Sequence, residues 1–258
     1  MHEFVHNFNN VQEFNYSVHI SNEFRFVYFN NPKCACTTIK ASLNLACAAA
    51  LGRKLEYTSI ADIHDRRRNL LLSPADIGYQ RFLEVLADES FFKFCFIREP
   101  VARMVSAFAS KLSWESELLI ALNRRLGRAD RSPLALPEFV EALSAHDDLR
   151  DMDEHWRLQR KQVCFDLVRF DKIGLFETLT PDLEAILVRL FGRGTQKWIF
   201  DVRRNFSGNV SNSRSLMTTL SRATKAMITQ IYEDDVNLYC AIANSESQRT
   251  IEAAWVAR

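Results

Sequence analysis

The chain has 258 residues, 47% of them hydrophobic and 25% charged, which is enough for one sizeable core and excludes a disordered chain. The 33 Lys and Arg residues nearly balance the 32 Asp and Glu residues, so total charge favours neither nucleic acid nor an anionic membrane as a partner. Any anion site must therefore be local. We expect a single domain over 1–258. The sequence does not indicate the oligomeric state.

Six cysteines are spread along the chain: Cys34, Cys36, Cys47, Cys95, Cys164 and Cys240. They lack the spacing of zinc ligands, so we expect mostly buried free thiols and no metal. The first twenty residues resemble neither a signal peptide nor an anchor, and no run approaches the ~18 apolar residues that span a bilayer. These features predict a soluble, cytoplasmic chain with no transmembrane segment.

Two strand-loop-helix units are the first elements predicted in chain order. The aromatic segment Phe24–Phe29 is a predicted strand, and a helix is predicted from Thr37 to Gly52. A second strand is predicted at Phe91–Ile97, followed by a helix that Pro100 opens. Two such units predict an α/β fold with a central parallel sheet flanked by helices.

Further helices are predicted from apolar periodicity and capping signals at Pro74–Leu86, Glu138–Ser144, Pro181–Phe191 and Leu220–Ala243. A short strand is predicted at Lys172–Glu177. Asp147–Glu154 is predicted to be an acidic loop, and residues from about 113 to 155 a helical insertion in the domain.

The loop that follows the first strand contains Pro32, Lys33, Cys34, Ala35, Cys36, Thr37 and Thr38. A loop that leads from a strand into a helix N-terminus binds anions, because free backbone N–H groups and the helix dipole meet there. Lys33 adds an ammonium group, and Thr37 and Thr38 add hydroxyl donors. The Walker pattern of glycines before a Lys is absent, so we predict a different type of phosphate or sulfate site.

A second candidate anion site follows the second strand. Arg98 lies at the end of that strand, and Ser106 follows eight residues later, about two helical turns away. A guanidinium group and a hydroxyl group at this spacing can share one phosphate, and the planar guanidinium suits a dianionic monoester.

The pattern Pro32-Lys33-x-x-x-Thr37-Thr38 resembles the 5′-phosphosulfate loop of sulfotransferases that use 3′-phosphoadenosine 5′-phosphosulfate (PAPS). The pattern Arg98-x-Pro-x-x-Arg-x-x-Ser106 resembles their 3′-phosphate motif. Further blocks resemble the Golgi carbohydrate branch that includes the chondroitin 4-O enzymes: His155-Trp156 with Cys164, Asp171–Leu179, Asn209–Ser213, Leu220-Ser221 and Tyr232–Asp235. The resemblance spans roughly Phe24 to Tyr239. The N-terminal anchor and stem of the Golgi enzymes are missing, so the chain resembles a bacterial-type soluble member.

This resemblance implies the sulfotransferase fold, which is P-loop-like, with PAPS as co-substrate, no metal, and a carbohydrate or glycoconjugate acceptor. It implies that Lys33 stabilises charge on the leaving oxygen, and that Arg98 and Ser106 bind the 3′-phosphate. Arg214 would close over the nucleotide. Arg103 either supports its helix or contacts the acceptor.

The sequence does not identify the general base. His64 lies between the two motifs, where related enzymes often have a histidine, and an ordinary histidine pKa near 6.5 suits proton abstraction. His155 is the second candidate, and a carboxylate at Asp62, Asp65 or Glu99 is the third. Trp156 is expected to lie mostly in the core, and it is also a candidate for stacking on adenine or a sugar.

Two other functions remain open. A sulfotransferase-like protein without catalysis would bind only nucleotide or sugar. A P-loop-like kinase would need the Walker glycines and a magnesium-binding Ser, and neither is evident in the sequence.

Overall fold

The computed structural model describes residues 1–205 and 213–256. The chain divides into two compact units. Unit 1 comprises Met1–Ile97 and Lys161–Val210, and unit 2 comprises Arg98–Arg160 and Ser211–Arg258. The single domain over 1–258 and the insertion near 113–155 stay predictions.

Unit 1 contains a four-stranded sheet whose order follows the chain: β1 (Val18–Ser21), β2 (Phe26–Phe29), β3 (Phe92–Ile97) and β4 (Lys172–Leu175). β1 runs antiparallel to β2, whereas β2, β3 and β4 are parallel. This mostly parallel sheet confirms the predicted α/β class. β1 was not predicted, because its four residues include a histidine and a serine that become buried only in the folded chain.

The helices follow in chain order: α1 (His2–His6), α2 (Val11–Ser17), α3 (Cys36–Ala50), α4 (Ile60–His64), α5 (Pro74–Ile77), α6 (Tyr79–Ala87), α7 (Pro100–Lys111), α8 (Glu117–Arg125), α9 (Leu136–Ala145), α10 (Asp147–Asp151), α11 (Gln159–Gln162), α12 (Leu179–Phe191), α13 (Val202–Asn205), α14 (Ser213–Thr219), α15 (Arg222–Ile231) and α16 (Glu233–Val256). Short 3₁₀ turns occupy Arg66–Arg68, Phe176–Thr178 and Thr195–Trp198. Along the described parts of the chain, every helix is too short or too polar to cross a membrane.

Three predicted segments differ from the structure. Pro74–Leu86 is broken into α5 and α6 at Gly78, whose φ of 82° is incompatible with a continuous helix. Leu220–Ala243 is divided into α15 and α16 at the buried Tyr232. The predicted acidic loop Asp147–Glu154 begins with α10, in which two aspartates lie at the favourable positive end of the helix and Leu149 is buried.

The sheet of unit 1 is buried on both faces. Along β2, Val27 and Phe29 belong to one apolar cluster, which includes Phe14 and Phe82 from the helices α2 and α6. The alternate residues, Phe26 and Tyr28, belong to a second cluster with residues of α3 and α12. Because successive side chains of a strand point to opposite faces, β2 contributes to both helical layers. The loop between β2 and α3 therefore connects a buried strand to a helix that is packed against the sheet.

Unit 2 has its own helical core. The fully buried Trp156 lies in a cluster with residues of α7, α9 and α15, and its ring meets that of Phe139 edge to face at 5.4 Å. The indole Nε1 donates to the carbonyl of Leu149 at 2.8 Å. These contacts confirm that the Trp156 side chain belongs to the core, and they leave its ring inaccessible for stacking on adenine or a sugar.

Candidate functional site

The loop between β2 and α3 has an unusual backbone. Lys33 and Ala35 have φ values of 69° and 61°, in the left-handed region that favours glycine, and neither is glycine. Such residues cost about 1–3 kcal/mol each, and they cluster at ligand-binding sites. Left-handed residues between right-handed ones turn successive N–H groups toward one side, which creates a concave anion site.

Two further contacts fix the ends of this loop. Buried Asn31 donates from Nδ2 to the carbonyl of Phe96 at 3.0 Å, which joins the loop to β3. The N–H of Cys34 donates to the carbonyl of Asn31 at 3.2 Å. The Cys34 side chain lies in the unit 1 core and is not directed to a ligand. The loop is thus joined to β3 and closed by a turn of its own main chain.

The start of α3 is open to an anion. Its N-cap residue, Ala35, provides no side-chain hydrogen bond to the first turn, and that turn contains no acidic residue. Thr37 and Thr38 lie within the first turn and do not cap it. The leading N–H groups and the positive end of the helix dipole therefore remain available for a phosphate or sulfate group.

His64, at the end of α4, lies against this first turn. Its Nε2 is 3.0 Å from Thr37 Oγ1, and its Nδ1 is 2.7 Å from Lys40 Nζ. Nδ1 is also 2.8 Å from the hydroxyl of Tyr16. His64 is half-buried and Lys40 is only 1% exposed. The predicted catalytic histidine is thus in direct contact with the predicted phosphosulfate loop.

The carboxylates of Asp62 and Asp65 have structural roles. Asp62 completes a capping box at α4, and hydrogen bonds from Thr58 lower the pKa of Asp62 to about 2. Asp65 accepts from the N–H of Arg67 at 3.0 Å and pairs with its guanidinium. A carboxylate with so low a pKa is a poor general base at neutral pH, so these contacts do not favour Asp62.

In unit 2, the main chain of Arg98 is held by a glutamine that the sequence did not single out. Gln159 Oε1 accepts from the N–H of Arg98 at 2.9 Å, and Gln159 Nε2 donates to its carbonyl at 2.8 Å. The carboxylate of buried Asp235 accepts in turn from the N–H groups of Gln159 and Arg160, at 2.7 and 2.9 Å. Burial raises the pKa of Asp235 despite these hydrogen bonds. Asp235 lies in one of the blocks that carried the family resemblance.

The N-terminus of α7 is capped by the side chain of its N-cap residue, so its first N–H groups already have an acceptor. Glu99 is the N-cap, and its carboxylate accepts from the N–H groups of Val101 and Ala102 at 3.2 and 2.7 Å. Ser106, on the same helix, is 5% exposed. A phosphate bound by this motif must therefore rely on the side chains of Arg98 and Ser106. The cap also gives Glu99 a structural role beside its candidacy as a base.

Arg103 supports the segment that carries His155. The buried Arg103 guanidinium donates to the carbonyls of Arg157 and Glu154, at 2.7 and 3.0 Å. His155 Nδ1 lies 2.6 Å from Asp153 Oδ1, which also accepts from the His155 N–H at 2.9 Å. Burial raises the pKa of Asp153, whereas the hydrogen bonds from His155 and its charge lower it. The lowering contributions together are larger, so the net shift is downward.

The remaining site predictions fall at the C-terminal side. Arg214 lies on α14 and is exposed. Most of the predicted block Asn209–Ser213 lies outside the described residues. Within the described residues no group of three or more His, Cys, Asp or Glu side chains could bind a metal ion.

Sequence reasoning missed Lys40 and Gln159. The only available signal for Lys40 was its position one turn after Thr37, on the same side of a helix. Gln159 had no signal, because its partners are distant in the chain.

The mostly parallel sheet defines an α/β protein, and the uncapped helix after the strained loop is an arrangement that can receive a phosphate or sulfate group. A family model described as the sulfotransferase family matches residues 16–240. The chain therefore belongs to the sulfotransferase family, as the two sequence motifs predicted.

Two relatives show where the similarity lies. Carbohydrate sulfotransferase 14 of Homo sapiens is 29% identical over 184 residues, covering 65% of this chain and 45% of the human protein. Carbohydrate sulfotransferase 12 of Mus musculus is 25% identical over 241 residues, covering 83% of this chain and 57% of the mouse protein. The chain thus spans about half the length of these relatives. No solved structure gives a significant match.

Proposed function

We propose that this chain transfers a sulfuryl group from PAPS to a hydroxyl of a carbohydrate or glycoconjugate. The acceptor oxygen forms a bond to sulfur while the bond from sulfur to the 5′-phosphate oxygen breaks. The products are a sulfate ester, 3′-phosphoadenosine 5′-phosphate (PAP) and a proton. Family membership supports the donor, and the names of the relatives support a carbohydrate acceptor.

The observation that carries this proposal is the open start of α3 after the strained loop at Lys33 and Ala35. The main-chain N–H groups there would bind the phosphosulfate, and the Lys33 ammonium would stabilise the charge that develops on the leaving oxygen. No metal is required in this scheme. Arg98 and Ser106 would bind the 3′-phosphate, and the exposed Arg214 would add a positive charge near the nucleotide.

Two histidines remain candidates for the base. A carboxylate that accepts from Nδ1, as Asp153 does, directs the acceptor lone pair of a neutral imidazole to Nε2. This contact supports His155 as the group that takes the acceptor proton. His64 has a lysine at Nδ1 instead, which favours a different role. The cytoplasmic location stays a prediction.

A transfer assay tests the proposal. The purified chain is incubated with ³⁵S-labelled PAPS and a panel of neutral, uronate-containing and sulfated polysaccharides, and labelled products are identified by mass spectrometry. We expect transfer with PAPS and none from ATP with magnesium. Lys33→Ala should lower turnover by about 100-fold to 1,000-fold, because one preorganised positive group is lost. Lys54→Met, at a lysine whose side chain is 85% exposed, is the control.

Two results would overturn the proposal. Stabilisation by PAP without transfer to any acceptor would indicate a binding protein without catalysis. Binding of ATP with magnesium, together with indifference to PAPS and PAP, would indicate a kinase-like site.

A further inference from the structure

Three groups of unit 1 converge on the ring of His64. Lys40 Nζ and the Tyr16 hydroxyl approach Nδ1, at 2.7 and 2.8 Å, and Thr37 Oγ1 lies 3.0 Å from Nε2. Both ring nitrogens therefore have a polar neighbour, and the identity of each neighbour determines where the imidazole hydrogen lies.

The contacts of Lys40 with Tyr16 favour the ammonium form of the lysine. Lys40 Nζ donates to the Tyr16 hydroxyl at 3.3 Å, and it lies 4.9 Å from the centre of the Tyr16 ring, which attracts a cation. An ammonium group has three donors and no acceptor. His64 Nδ1 must therefore accept a hydrogen bond from Lys40, and it carries no hydrogen of its own.

It follows that a neutral His64 carries its hydrogen on Nε2, next to Thr37. Nε2 then donates to Thr37 Oγ1, and the hydroxyl hydrogen of Thr37 is directed to another acceptor. A doubly protonated His64 would place an N–H group against an ammonium 2.7 Å away. The chain of donors thus runs from Lys40 through His64 to the first turn of α3.

Positive charges surround this group of side chains. A second cation, Arg66, donates to His19 Nδ1 at 2.5 Å, and the buried His19 stacks on Tyr28. Burial lowers the pKa of His19 well below 6.5, and the charges of Arg66 and Lys40 lower it further. The nearby carboxylates of Asp62 and Asp65 pair with Arg68 and Arg67, and Asp76 attracts Arg66.

We propose that Lys40 is a positioning residue that fixes the hydrogen of His64 on Nε2, so that His64 and Thr37 form a donor relay toward the phosphosulfate. His64 would then stabilise the anionic donor and would not remove the acceptor proton. This inference rests on the proposed function for the identity of the ligand, whereas the position of the hydrogen can be measured without any ligand.

The first test measures the tautomer directly. In protein with ¹⁵N-labelled histidine, the nitrogen shifts of His64, assigned with His64→Gln, show which ring nitrogen carries hydrogen. We expect the hydrogen on Nε2 in the natural chain and in Lys40→Arg, and a mixture of tautomers in Lys40→Met. A hydrogen on Nδ1 in the natural chain would overturn the inference, whatever the protein's activity.

The second test separates a donor from a base. Glutamine at position 64 can donate an N–H but cannot take a proton, so His64→Gln should retain kcat within about 10-fold, whereas His64→Ala should lose about 100-fold or more. Equal losses in the two variants would show that His64 is the base. Lys40→Arg should restore most of the kcat lost in Lys40→Met, with the acceptor KM unchanged in both.

Calorimetry with PAP distinguishes this inference from the proposed function. Thr37→Val should weaken PAP binding by about 10-fold, and Thr37→Ser should bind like the natural chain. If Thr37→Val binds PAP more weakly than Thr37→Ser but no protein transfers sulfate, catalysis by this chain is refuted while the relay is supported. If Thr37→Val binds PAP as tightly as Thr37→Ser, the relay does not reach the ligand and the inference fails. Thermal melting confirms that each variant is folded.

Discussion

The helices α3 and α7 both follow a buried parallel strand, yet their first turns are opposite in character. α3 has an alanine at its N-cap and no acidic residue in its first turn, whereas Glu99 caps α7 with its own carboxylate. An uncapped helix start can bind an anion through its main chain, and a start closed by a carboxylate cannot. Under the proposed function, the same local topology would therefore serve two kinds of phosphate recognition, by main chain at α3 and by side chains at α7.

The largest change in affinity for PAP is expected when α3 is given a carboxylate cap like that of α7. Ala35→Asp would place a carboxylate at the N-cap of α3, where its negative charge would repel a phosphate. We expect the affinity for PAP, measured by calorimetry, to fall by about 100-fold or more.

Ala35→Asn is the matched control, because Asn and Asp both tolerate the left-handed backbone at this position. The neutral variant should bind PAP within a few-fold of the natural chain. Unchanged binding by Ala35→Asp would show that the start of α3 does not contact the ligand.

A smaller effect is expected at the motif before α7, where recognition depends on the shape of a side chain. Arg98→Lys keeps the positive charge but loses the paired donors of the guanidinium group. We expect the affinity for PAP to fall by about 10-fold, while binding of adenosine 5′-phosphate, which lacks the 3′-phosphate, stays unchanged. Equal losses for both nucleotides would contradict this role, and Arg124→Lys, at an exposed pair with Asp130, is the control.

The burial of His19 leads to a pH-dependent stability. The folded chain keeps His19 neutral because burial lowers its pKa well below 6.5, whereas the unfolded chain takes up a proton near that pH. The free energy of unfolding should therefore fall as the pH drops below 6.5, by up to about 1.4 kcal/mol per pH unit. Urea titrations of the natural chain and of His19→Gln measure this slope, and an equal slope in both would exclude His19 as its source.

The smallest expected effect is a change in the free energy of unfolding when the cap of α7 is removed. Glu99→Ala leaves two N–H groups without their acceptor and should lower the free energy of unfolding by about 1 kcal/mol. Glu99→Gln keeps an amide oxygen and should lose less. Both variants should bind PAP within about three-fold of the natural chain. A large gain in affinity would show that α7, like α3, can bind phosphate through its main chain.

The strands and their loops were predictable because their sequence signals are local. The aromatic run before Asn30 and the run before Arg98 each gave a strand close to its observed bounds, since a buried parallel strand needs consecutive apolar residues. Helix breaks at Gly78 and Tyr232 were missed, because the apolar pattern continues across both positions and only the packed backbone ends the helices there.

The candidate site was predictable in its residue types and not in its contacts. Lys33 and Arg98 could be identified from motifs, because an anion site requires positive groups at particular spacings. The contact of Lys40 with His64, and that of Gln159 with Arg98, join residues that are 24 and 61 positions apart in the chain. No local pattern encodes such a separation.

Composition, periodicity and motif spacing were sufficient to identify the α/β class, the two anion motifs and the family. These properties depend on residue types in short segments, which keep their chemistry in any context. The packed fold was needed to show that α3 begins open and α7 begins capped, and that a buried lysine faces His64. The protonation and accessibility of a polar group depend on what is packed against it, and packing brings together residues that are far apart in the chain.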